Sequence, residues 1–280
     1  MLAIGGARVV SDHAQDFRGA FAAGAIVLGV AAGVAFHAFP EIDLIFASNF
    51  YLGDSAGFSG QKLGYVSALR STFVAFFCAS LALAILGAVV TLARRQSWFG
   101  LAGAQWLFLV VCLVVGPGLV ANVALKEQWG RARPKHVVEL GGDKVFTPPL
   151  TPSGECRHGC SFVSGEAASI FTPFYAAALV VPQWSVALTV AGTLGGLAAG
   201  MIRVSQGAHF LSDVIFAGVL MALTVVSVYR VMFGRSSIAR PIAAALGLRR
   251  TSLWADLPRL NPRRSGRAGR PQTGASTDRF

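Results

Sequence analysis

Long apolar runs separated by polar connections dominate the chain. A membrane-crossing helix needs about 20 mostly apolar residues. The runs Phe21–Phe39, Ser71–Ala93 and Leu101–Leu125 meet that length. Three more follow, Glu166–Val181, Ser185–Ile202 and Phe210–Phe233. Short or polar-ended spans are tolerated where neighbouring protein covers them. The pattern therefore predicts an all-α, polytopic membrane protein built as a bundle of six transmembrane helices. The first run is too long for a signal peptide, and no small-residue cleavage site follows it, so it counts as a span. Within the fifth run, Gly192, Gly196 and Gly200 lie four apart and present a smooth strip to a neighbouring helix. Gly116-Pro117-Gly118 predicts a kink in the third.

The connections divide the chain into a short N-terminus (1–20), a six-helix domain (21–233) and a basic tail (234–280). Residues 40–70 mix acidic and aromatic side chains, as suits a segment lying along the membrane surface. Residues 126–165 form the longest polar loop. The tail holds ten arginines. Its last twenty residues read as disordered, and 238–260 as a short surface helix. A positive-inside flank is its simplest role, with a lipid or regulatory site as the alternative.

Composition narrows the class. Of 280 residues, 54% are hydrophobic and only 13% charged, against about 25% charged in a soluble domain. Mean hydropathy is +0.59. An ordinary water-soluble globule is excluded. The net charge of +11 then points to anionic head groups, and no nucleic-acid partner is expected. An even number of spans puts both termini on one side. The basic tail, Arg8, Arg18 and Arg94-Arg95 make that side the cytoplasm. Lys126, Arg131, Arg133, Lys135, Lys144 and Arg157 then face outward, an exception that a chemical role would explain.

Three polar clusters fall at span ends on that outer side: Lys126–Pro134, Ser161–Glu166 and Arg203–Asp213. Ionisable residues at such positions are functional candidates. Lys126, Arg133 and Arg203 bring three cations to one rim, matched to phosphate oxygens. Ser164-Gly165 opens a helix, whose free amides attract anions and whose glycine permits close approach. His209 and Asp213 share one helix face, so the carboxylate can orient the imidazole. A phosphate cradle beside an oriented histidine predicts phosphoryl transfer through a phosphohistidine. No dense carboxylate cluster or Gly-rich nucleotide loop appears, so neither a metal nor a cofactor is expected.

These residues carry a family resemblance. Lys126–Pro134 fits K-x6-R-P, Ser164-Gly165 fits the S-G of P-S-G-H, and Arg203–Asp213 fits R-x5-H-x3-D. Together they resemble the type 2 phosphatidic acid phosphatase superfamily, whose membrane members have six helices and an outward-facing site. The resemblance implies His209 as nucleophile and Asp213 as its orienter. It implies phosphate binding by Lys126, Arg133, Ser164, Gly165 and Arg203, and a periplasm-facing site in a bacterial inner membrane. Val163 stands at the family's usual proline, and Ile202 where serine often precedes the arginine. Glu166 replaces the histidine that protonates the leaving oxygen. A glutamate can serve as that acid if its pKa is raised, whereas a helix start and three cations favour its ionised form.

The implied activity is a metal-independent membrane lipid phosphatase acting on a phosphate monoester or pyrophosphate of an anionic phospholipid. The sequence Cys-Ser-Phe-Val-Ser-Gly-Glu resembles the branch acting on lipid A; phosphatidylglycerophosphate and undecaprenyl pyrophosphate are rival substrates. A lipid phosphotransferase using the same intermediate and a non-catalytic lipid-binding or transport protein are the alternatives. Cys156 and Cys160 flank Arg157-His158-Gly159 and suit a small disulfide on an oxidising side, with zinc held together with His158 as the alternative. His37 reads as structural, His136 and His158 as solvent-facing, and Arg131 as a head-group contact outside the motif.

Overall fold

The computed structural model describes residues 2–234, with side chains from Gln15 onward. The expected surface helix at 238–260 and the disordered tail lie outside the described residues. Every regular element among the described residues is helical. Helix α1 spans Leu2–Ala38, so the expected separate N-terminus at 1–20 is continuous with the first span. Short helices α2 (Glu41–Ser48) and α3 (Ser59–Lys62) follow. Then come α4 (Gly64–Arg94) and α5 (Gly103–Leu113), which runs on as a π-helical stretch over Val114–Lys126. After the polar loop come α6 (Gly165–Val180), α7 (Ser185–Ser205) and α8 (Leu211–Phe233).

Among the described residues, five helical segments are long and apolar enough to cross a membrane: Gln15–Ala38, Gly64–Arg94, Gly103–Lys126, Pro182–Ser205 and Leu211–Phe233. The predicted fourth span, α6, has 16 residues, or about 24 Å at 1.5 Å per residue, short of the roughly 30 Å hydrocarbon layer. It is the hub of the bundle. Ala167, Ala168, Phe171, Ala176, Ala178 and Leu179 are all buried, and the helix packs on α4, α5, α7, α8 and the π-helical stretch. Wrapped in protein, α6 does not have to match the bilayer thickness. The outer helices present exposed apolar faces, as suits contact with lipid. α1 exposes Ile26, Val27 and Val30, and α4 exposes Ile85, Leu86 and Val89.

The glycine strip on α7 works as expected. A Cβ at Gly192 would lie 2.6 Å from Phe174, at Gly196 2.4 Å from Phe171, and at Gly200 2.2 Å from Val214. Only bare backbone admits α6 and α8 that close. The predicted kink position falls within a π-helical winding. Pro117 has no amide to donate, and the Asn122 side-chain amide bonds the Pro117 carbonyl at 2.7 Å. This winding carries Asn122 and Lys126 toward the start of α6.

Candidate active site

His209 lies just before α8 and is buried, 1% exposed. Its Nδ1 lies 2.6 Å from the backbone carbonyl of Ser161. A carbonyl only accepts, so Nδ1 carries the proton and Nε2 keeps its lone pair. Asp213 stands 3.7 Å from Nδ1, beyond hydrogen-bond reach. The direct orienter expected at Asp213 is therefore the Ser161 carbonyl, and Asp213 acts one bond further out. Its carboxylate accepts from the Ser161 hydroxyl and, at 2.8 Å, from the amide of Phe210, as an acidic residue in a first helical turn does. Burial above all holds the His209 imidazolium pKa below its ordinary value; Lys126 and Arg203 push the same way and Asp213 opposes them.

Behind Asp213 sits a buried ionic network absent from the sequence expectation. Arg131 was expected to touch a head group; its side chain is wholly buried instead. Its guanidinium bonds the Thr147 carbonyl at 2.9 Å, Ser212 Oγ at 2.9 Å, Asp213 at 2.6 Å and Asp43 at 2.8 Å. It stacks on Phe210 with 4.3 Å to the ring centroid. Asp43, from α2, also takes the Ser212 amide at 2.9 Å and the Ser212 hydroxyl. Helix α2 thereby caps α8. Two buried carboxylates flank one guanidinium, and every charged oxygen or nitrogen involved has a partner, which is what makes such burial tolerable.

Among the expected phosphate ligands, the cations lie close enough to one another, and Lys126 and Arg203 close enough to His209, to act electrostatically. Ser164 begins α6 and receives the Ala167 amide at 3.4 Å, while its own amide bonds the Asp213 carbonyl at 3.1 Å. A Cβ at Gly165 would lie 2.7 Å from Asn122 Oδ1 and 3.4 Å from Lys126 Nζ, so glycine is what lets Asn122 close on the helix start, with Lys126 beside it. Lys126 itself reaches Asn122 at 3.4 Å. Arg133 bonds the Gly159 carbonyl at 2.8 Å. Cys156 and Cys160 are disulfide-bonded, so their thiolates are not available for the zinc alternative, and the bridge holds the loop bearing Gly159. Glu127 steadies it further through the Gly159 amide at 3.2 Å and the solvent-facing His158 at 3.2 Å.

Glu166 is not poised as a free acid. Arg70 Nε lies 3.0 Å from each of its oxygens, and Arg203 Nε lies 3.4 Å from one. Arg203 also binds the Gln206 side chain. Arg70 was missed in the sequence. An arginine within a long apolar helix was the available signal, but nothing in the primary order links α4 to α6. Asn122 and Asp43 were missed for the same reason.

The PAP2 superfamily profile matches residues 105–237. A protein named lipid A 4'-phosphatase from Francisella tularensis subsp. novicida (strain U112) is 34% identical over 220 residues, covering 74% of this chain and 96% of that one. A lipid A 4'-phosphatase from Rhizobium leguminosarum is 34% identical over 204 residues, covering 68% and 86%. A lipid A 1-phosphatase from Rhizobium etli is 37% identical over 134 residues, covering 46% and 50%. No solved structure matches the chain.

Proposed function

The chain belongs to the PAP2 superfamily, and from that membership we propose that this membrane phosphatase removes a phosphate monoester from a lipid A-type substrate through a phosphohistidine on His209. The observation that carries the mechanism is the Nδ1–H bond from His209 to the Ser161 carbonyl at 2.6 Å. It leaves Nε2 as the unprotonated nitrogen. Nε2 attacks phosphorus, a P–N bond forms, and the P–O bond to the lipid breaks, the departing lipid oxygen taking its proton from solvent water. Water then cleaves the P–N bond and releases inorganic phosphate, which restores the imidazole. Lys126, Arg133, Arg203 and the Gly165 amide face the charge that develops on the equatorial oxygens. No step calls for a metal.

Glu166 functions here as a positioning residue. Both of its oxygens are engaged by Arg70, and one also by Arg203. The phosphatase reading is preferred to phosphotransfer or passive lipid binding because the relatives are named phosphatases. The site belongs on the periplasmic face of the inner membrane. A disulfide in the loop that carries Arg133's carbonyl partner supports that side, since such bonds persist in oxidising compartments.

The test is alkali-quenched single turnover on radiolabelled lipid A. Wild type should yield a base-stable, acid-labile phosphoprotein, and His209→Gln should yield none. Glu166→Gln should still form and hydrolyse the adduct. If it instead loses turnover as fully as His209→Gln while keeping substrate affinity, Glu166 is the proton donor after all. A reporter active only in the periplasm, inserted after Val145, should be active.

A further inference from the structure

Beside the catalytic cluster lies a cavity of about 400 Å³, walled by the segment after α2, by residues near 135–141 and by the end of α7. Its size falls within the roughly 300–1,000 Å³ of pockets that enclose small organic ligands. The lining includes Tyr51, Asp54, Gln61, Lys135, Arg203 and Gln206. We propose that this cavity is a head-group subsite that seats the sugar ring of a phosphoglycolipid while its phosphate rests on the cations beside His209. The proposal rests on the phosphatase reading above.

Three observations carry it. The first is continuity. Arg203 stands in the cavity wall and also contacts Glu166 at the reaction centre. A head group held in the cavity is therefore one side chain away from its own phosphate. The second is chemistry. The wall alternates amide, carboxylate, phenol and ammonium groups, a mixed donor and acceptor set that suits ring hydroxyls and not an acyl chain. Lys135 has no ion-pair partner among the described residues. Burial first, then Arg133 and Arg203, push its pKa down, so an electron-rich oxygen placed there relieves crowded positive charge. The third is construction. The Gln61 side-chain amide ties α3 to the Gln206 carbonyl at 2.9 Å, and the Lys135 amide bonds the Gly207 carbonyl at 3.1 Å. Gly141 has φ +81°, and a Cβ on it would lie 2.3 Å from the Tyr51 hydroxyl. These walls are fastened to one another across long stretches of chain, so the cavity is a formed feature of the fold. A lipid with phosphate alone as its head group would leave most of this space empty.

The experiment compares kcat/KM of the full-length enzyme in mixed micelles on lipid A and on phosphatidic acid of matched acyl length. Wild type should prefer lipid A. Lys135→Ala and Gln61→Ala should each lower the ratio of the two constants by tenfold or more. Lys135 is exposed and unpaired, so its variant should fold even if Gln61→Ala does not. A ratio unchanged within twofold in Lys135→Ala overturns the subsite, even if both rates fall together through lost positive charge. No wild-type preference for the sugar lipid overturns it as well. Failure of wild type to release phosphate from either lipid sinks the phosphatase reading, and the subsite with it.

Discussion

Replacing Arg131 with lysine tests the buried network directly. The guanidinium makes four hydrogen bonds, two of them to the carboxylates of Asp43 and Asp213, with no side-chain exposure on any of the three. Those carboxylates are held by different nitrogens of one planar fork. A lysine supplies a single ammonium and cannot reproduce that fork. One carboxylate is left buried without its counter-charge, a loss of about 3–5 kcal/mol. The lost stacking on Phe210 adds to this, while the Ser212 amide and hydroxyl still hold Asp43 and keep the total near that range. Each kcal/mol shifts the melting midpoint of a domain of this size by about 2–4 °C, so the midpoint should fall by roughly 6–20 °C. Catalysis should suffer as well. Asp213 holds Ser161, and the Ser161 carbonyl fixes the His209 ring. Misplacing the nucleophile by about 1 Å costs on the order of a hundredfold in kcat. The assays are thermal melting in detergent at one fixed heating rate and kcat at saturating lipid. Combining the change with Asp43→Asn should give less than the sum of the two losses, with coupling of about 0.5–3 kcal/mol. A variant that melts within 2 °C of wild type and keeps half its kcat would refute the network's role.

Three further outcomes are expected. The rate of phosphohistidine formation should hold on acidification past about pH 6.5, the ordinary imidazole value, and fall only as pH drops through the lowered pKa of His209. The sign for stability agrees: the unfolded chain binds this proton more readily, so protein stability declines as pH falls below the unfolded value; an acid limb above pH 7 contradicts it. Gly165→Ala should fold, because its neighbours Asn122 and Lys126 are side chains, yet the forced retreat of Asn122, which Lys126 contacts at 3.4 Å, should displace Lys126 and raise KM for lipid tenfold or more. Unchanged kinetics would mean Lys126 is not a phosphate ligand. Cys156→Ser opens a five-residue ring whose closure is worth ~2 kcal/mol in chain entropy. Because Gly159 in that ring anchors Arg133, KM should rise more than kcat falls, and reductant should have the same effect on wild type and none on the variant.

Much of this molecule is legible in its primary order. Apolar run lengths define the outer helices, because lipid accepts only backbone whose polar groups are satisfied internally. Fixed spacings singled out Lys126, Arg133, Arg203 and His209 as candidates, because each falls at or just beyond the end of an apolar run. The four-residue glycine repeat of α7 announced its close packing because residues four apart lie on one helix face. What spacing cannot carry is contact between distant segments. The imidazole's partner could be named only once Ser161 was seen to reach it with a main-chain carbonyl, an atom every residue possesses. Arg131 looked like another outward cation, yet the folded chain turns it inward between Asp43 and Asp213, some 80 or more positions away along the sequence. Arg70 and Glu166 meet across 96 positions. α6 could be short only because other helices surround it. Charge pairing and burial depend on which faces of separate helices are pressed together, and that is decided by packing, not by the order of residues within any one of them.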